Sequence, residues 1–96
     1  MQTVIDIKTK LARNKSLYHE KYGAKAFGIF GSYSRGDQVN SSDIDILVEF
    51  DKPIGLAFID LAEDLEKLLD AKVDLVSKRA IKPRMLKSIE QDIIYV

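Results

Sequence analysis

The chain has no cysteine and no tryptophan, and among its 96 residues only two prolines and one histidine. Without cysteine there is no disulfide framework, no thiolate zinc site and no cysteine nucleophile. An excess of either charge is also missing. Lysine plus arginine and aspartate plus glutamate stand at 15 each, so no net basic field argues for a nucleic-acid backbone as the main partner. No apolar run approaches a membrane span and the N-terminus carries no signal-peptide pattern. The expectation is a cytoplasmic protein of a reducing compartment. What remains is an ordinary globular composition, 46% hydrophobic and 31% charged, on a length that holds one domain, residues 1–96, with one modest core. So short a chain encloses a large substrate poorly. If it is an enzyme, a folded protein could be the acceptor that completes its site.

From Thr3 to about Tyr22, the residues Val4, Ile7, Leu11, Tyr18 and Tyr22 recur at helical spacing, which predicts an amphipathic helix that stops at Gly23. Lys25 to Phe30 reads as a buried strand ending at Gly31. Ser32 to about Arg35 suits one helical turn with Ser32 as its N-cap. Asp37 to Ser41, with Asn40, is a turn-rich loop, and Ser42 to Phe50 is a second strand. Phe58, Leu61, Ala62, Leu65, Leu68 and Leu69 mark a helix from about Leu56 to Asp70. Lys72 to Val76 is a third strand, Pro83 opens a short final helix, and Ile93 to Val96 is an extended tail that closes the core or presents an edge. The strand–helix–strand unit from Ser42 to Val76 favours a parallel pair, while the ten-residue link before it favours an antiparallel one. The predicted fold class is α/β (α+β): a small mixed sheet with helices packed on one face.

The chemistry concentrates in Gly31-Ser32-Tyr33-Ser34-Arg35-Gly36 and Ser42-Asp43-Ile44-Asp45. On a strand Asp43 and Asp45 face one way, with Ile44, Ile46 and Val48 facing the other. Two such carboxylates with no basic residue between them repel, and a fold tolerates that mainly when a cation lies between them. If Ile44, Ile46, Val73 and Leu75 all face the helices, Asp74 shares the opposite face and completes a trio across strands about 4.8 Å apart. Glu49 has the same parity but sits about 13 Å along the strand from Asp45, too far to join. Oxygen donors without cysteine or a nearby histidine select Mg²⁺ or Mn²⁺ over zinc. In a two-ion arrangement one cation would activate a hydroxyl and the other would neutralise departing pyrophosphate, with Asp74 on the nucleophile side as ligand or proton acceptor. Ser32 and the backbone N–H groups after Gly31 suit the terminal phosphates, and Arg35 could add a charged clamp. Elsewhere the bland readings hold. His19 belongs to a charged surface, Tyr18 and Tyr22 to core or partner contacts, Asp37 and Asn40 to turn chemistry, and Lys82, Arg84 and Lys87 to an exposed helix face.

Gly31-Ser32, ten residues, then Asp43-x-Asp45, with Arg35-Gly36 between and Asp74 on a later strand, resembles the minimal nucleotidyltransferases (MNT domains) of the DNA polymerase β-like superfamily. The resemblance covers nearly the whole chain. It implies that Gly31 and Ser32 bind a nucleoside triphosphate, that Asp43 and Asp45 hold the metals, and that Asp74 is the third catalytic acid. It further implies an antitoxin paired with a HEPN-domain ribonuclease toxin, silencing it by transfer of AMP from ATP to a tyrosine hydroxyl. The alternatives left open are an antitoxin that neutralises by binding alone and a small RNA- or nucleotide-binding module without transfer activity.

Overall fold

A computed structural model describes residues 2–96. Helix α1 runs Val4–Tyr22 and begins with a capping box. Asp6 N–H donates to the Thr3 hydroxyl at 3.3 Å and Thr3 N–H donates to the Asp6 carboxylate at 2.8 Å, so two of the helix's orphan donors are satisfied. The same contacts hold the Asp6 carboxyl below its ordinary range, led by the Thr3 backbone hydrogen bond. Strand β1 spans Ala24–Phe30, the short helix α2 Ser32–Arg35, β2 Ile44–Phe50, α3 Ala57–Leu69 and β3 Val73–Ser77. A 3₁₀ turn at Lys78–Ala80, helix α4 at Pro83–Glu90 and the two-residue strand β4, Ile94–Tyr95, complete the chain.

The sheet order is β3-β2-β1-β4. β1 and β2 run antiparallel, β2 and β3 run parallel on either side of α3, and β4 pairs antiparallel with β1. Ile7 and Leu11 of α1 and Leu61, Leu65 and Leu69 of α3 pack onto Phe27, Ile29, Ile44, Ile46 and Val48 of the sheet, all at or near full burial. Burial of one side-chain parity locks the register, because a one-residue slip would turn every isoleucine of β2 to the other face.

Three local expectations are corrected. β2 begins at Ile44 rather than Ser42, so Asp43 immediately precedes the ladder. Gly31, not Ser32, occupies the N-cap of α2, with φ 74° and ψ −149°. The face opposite α1 and α3 is also only partly open. Leu47 is 3% exposed there although it lies outside the helix-side core. Ile93 lies across Gly28 so closely that a Cβ at that position would collide with it. The tail closes the core as expected, with Val96 packed against it, while Ile94 and Tyr95 pair with β1 as the last strand of the sheet. Among the described residues no helix is long and apolar enough to cross a membrane.

Candidate active site

The parallel ladder places Asp45 of β2 directly opposite Asp74 of β3, between the pairs Ile44–Val73 and Ile46–Leu75. The fully buried isoleucines on either side of Asp45 hold it on the face away from the core, and Asp43, two residues earlier, is exposed. Asp45 is half-buried, and its carboxyl is raised above the ordinary 3.8. Burial is the first cause; the Asp74 and Asp43 charges and a hydrogen bond with Asp74 add to it, and Arg35 partly offsets them. The three carboxylates predicted to converge are therefore electrostatic neighbours, with Asp45 at their centre.

The glycine–serine turn is built against the same carboxylate. Phe30 pairs with Asp45 across β1 and β2, so Gly31 emerges beside it. A Cβ on Gly31 would run into the Asp45 carboxylate, and the backbone there is left-handed in φ at 74°. Glycine meets both demands at once. From that point α2 turns away, pinned by buried Tyr33. Arg35 N–H donates to the Gly31 carbonyl at 3.2 Å, and the Ser34 hydroxyl donates to it at 2.9 Å. The Ser32 hydroxyl has no hydrogen-bond partner among the described residues and is half-buried at the start of this turn. Donors at the head of a tight turn are what phosphate oxygens need.

Arg35 stands apart from this cluster. Its Nε lies 3.1 Å from Asp37 and one terminal nitrogen 3.9 Å from Asp92 at the end of α4. Asp37 is the first cause of its raised pKa, and Asp45 is among the lesser ones. A role on phosphate thus requires Arg35 to exchange Asp37 for the ligand, a small cost for an exposed pair. Asp37 and Asp92 carry a part in the site that sequence reasoning missed. Asp37 was read as turn chemistry alone, and no local signal ties Asp92 to a residue 57 positions earlier. Tyr33 was also missed, though a lone aromatic between two serines was a usable hint of an anchor.

Glu49 is outside the site and lies between Lys25 at 3.7 Å and Lys78 at 3.8 Å. His19 is exposed and pairs with Asp51 at 2.7 Å. Tyr18 and Tyr22 are buried, and the Tyr22 hydroxyl donates to Asp64 of α3. Lys82, Arg84 and Lys87 are exposed on α4.

Among the described residues no three of His, Cys, Asp or Glu close into a ready-made metal cage. Magnesium does not need one, since it takes one or two carboxylates and completes its shell with water and substrate phosphate. The donor set suits such a hard cation: the Asp74 and Asp43 charges raise the cost of ionising Asp45, and the guanidinium that offsets them, Arg35, is already paired with Asp37.

Residues 8–96 match the model of the nucleotidyltransferase domain family. The chain belongs to that family. A relative in Methanocaldococcus jannaschii, provisionally named a protein adenylyltransferase, is 52% identical over 98 residues that span all of both chains. The protein adenylyltransferase MntA of Thermococcus cleftensis is 41% identical over 97 residues, covering all of this chain and 98% of its own. Among solved structures, a toxin–antitoxin crystal structure with AMP-PNP superposes with a TM-score of 0.75 at 27% identity, covering 92% of this chain and 70% of that one. The family resemblance, the mixed α/β fold and the nucleotidyltransferase class expected from the sequence therefore stand.

Proposed function

We propose that this nucleotidyltransferase transfers AMP from ATP to a hydroxyl, a tyrosine of a HEPN-domain toxin, and so acts as that toxin's antitoxin in a Mg²⁺-dependent reaction. The observation that carries the reading is the meeting of Asp45, Asp74 and Gly31 at one point of the sheet. Adenylyl transfer is the activity in the name of the archaeal MntA relative, and a toxin–antitoxin pair with an ATP analogue is the description of the structural neighbour.

In this reading Asp43 and Asp45, together with Asp74, hold the divalent ions. When bound, these ions supply positive charge to the triphosphate and lower the pKa of the attacking hydroxyl. The chain's own groups do the rest. The N–H groups after Gly31 and the Ser32 hydroxyl bind the β- and γ-phosphates, and Arg35 leaves Asp37 to clamp them. Asp74, at the exposed rim beside Asp45, accepts the proton of the acceptor hydroxyl. The acceptor oxygen bonds to the α-phosphorus, the bond from that phosphorus to the bridging oxygen of the β-phosphate breaks, and pyrophosphate leaves with the electron pair.

The test is to incubate the chain with a HEPN-domain toxin, ATP and Mg²⁺, and to weigh that toxin. AMP-sized mass increments on a tyrosine, absent when the metal is chelated, are expected. Neutralisation of the toxin with no mass gain would leave binding alone as the mode of action and overturn transfer.

A further inference from the structure

An open apolar groove lies away from the acidic site, at the far end of β2 and β3. It has a volume of about 500 Å³ and is lined by Phe50, Ile54, Phe58, Leu75, Ser77 and Arg79 among others. Beside it, Leu56 and Ile59 are 83% and 55% exposed at the start of α3. Large apolar side chains exposed next to an apolar groove mark a surface that another molecule covers.

β3 is the last strand of the sheet on this side. Its backbone direction follows from two hydrogen bonds. The Lys72 carbonyl accepts from Ile44 N–H at 2.9 Å and so points inward to β2, while Val73 N–H points outward, to the Glu66 side chain at 3.0 Å. N–H and C=O groups alternate sides along a strand, so those of Leu75 and Ser77 also point outward. No strand pairs with that edge among the described residues. An unpaired edge is a template for an added strand.

The charge of the groove selects among possible occupants. Arg79 lines it and spends its one hydrogen bond, 3.2 Å, on the Phe50 carbonyl, while no carboxylate lines the cavity. Lys52 is exposed next to Pro53 of the same wall.

We propose that the outer edge of β3 and this groove dock an extended segment of the acceptor protein as a fifth strand, with apolar residues entering the groove and an acidic residue meeting Arg79. The identity of the occupant as the acceptor rests on the transfer reading above. The geometry suits it: Ser77 is three residues from Asp74, about 10 Å at the rise of a strand. A partner seated along β3 is therefore held within reach of the carboxylates.

The experiment titrates the isotope-labelled chain with a short peptide alternating isoleucine and glutamate, and with its lysine counterpart, following backbone amide resonances. Shifts centred on Leu75, Ser77 and Arg79 are expected with the acidic peptide and not with the basic one. Ser77→Pro removes one outward N–H at a residue whose φ of −83° already suits proline. It and Arg79→Gln should each weaken binding about tenfold. Equal binding of both peptides, or shifts confined to other surfaces, overturns the proposal. So does self-association of the chain, seen by sedimentation and abolished by Ser77→Pro, because the edge then serves a second copy. Asp45→Asn should bind the peptide unchanged. In the unaltered chain, absence of transfer with peptide binding kept sinks only the reaction, and transfer without peptide binding sinks only the docking site.

Discussion

Asp45 and Glu49 stand on the same strand, with the same parity and similar chemistry, yet the fold treats them in opposite ways. Glu49 lies between Lys25 and Lys78 at 3.7 and 3.8 Å, an exposed ion-pair cluster of the kind that contributes little to stability. Asp45 is set against Asp74 and Asp43 and pushed up by burial, with Arg35 as a counterion already committed to Asp37. One carboxylate is neutralised by the protein itself. The other makes no ion pair among the described residues, and its carboxyl is raised. A local excess of unpaired charge, rather than the mere presence of acids, is what marks one end of this sheet as the candidate site.

The sharpest way to break that contrast is Asp45→Asn. Transfer should fall by at least about 10²-fold, the scale of losing one preorganised electrostatic group, while circular dichroism and the melting temperature show an intact fold. A variant that still labels its acceptor at the native rate would remove Asp45 from the chemistry. Next in size is Gly31→Ala. The left-handed φ and the collision with Asp45 should cost on the order of 1–3 kcal/mol in denaturant unfolding, and nucleotide affinity should fall with it. Stability unchanged within error would show that the turn does not depend on glycine.

The pH dependence is a smaller effect with a definite sign. Because the folded-state pKa of Asp45 is raised, the unfolded chain releases this proton first, and the metal-free protein loses stability as pH rises from the ordinary carboxylate value to the raised one. Asp45→Asn lacks this loss. The two melting temperatures should therefore converge in acid and separate as pH climbs through that window, with the variant above. A gap of the opposite sign would contradict the raised value. The smallest effect belongs to Glu49→Gln, which should leave transfer unchanged and shift stability by no more than about 1 kcal/mol. A large loss of activity there would erase the distinction between the two ends.

Much of this was legible in the sequence because two short-range rules carry it. Period-two burial put Asp45 and Asp74 on one face, and the strand–helix–strand order made their strands parallel, so their pairing required no knowledge of distant packing. The helices were as clear, since Leu61, Leu65 and Leu69 repeat at four-residue steps. What stayed hidden depends on contacts between distant segments. That Gly31 rather than Ser32 caps α2 follows from how close the Asp45 carboxylate comes. The covering of Leu47 and the approach of Ile93 to Gly28 follow from where the tail returns. The partners of Arg35 divide the same way, with Asp37 two residues on and Asp92 across the molecule.

The sequence by itself determined the alternation that separates acids from core, the helix that makes two strands parallel, and the glycine–serine turn before an aspartate pair. These are matters of side-chain period and chain reach. Only the tertiary structure decided which acids stay unneutralised, which face is capped by the tail, and where an apolar groove opens beside a free strand edge. Each of those depends on which groups from remote parts of the chain arrive within a few ångströms, and no local pattern encodes that.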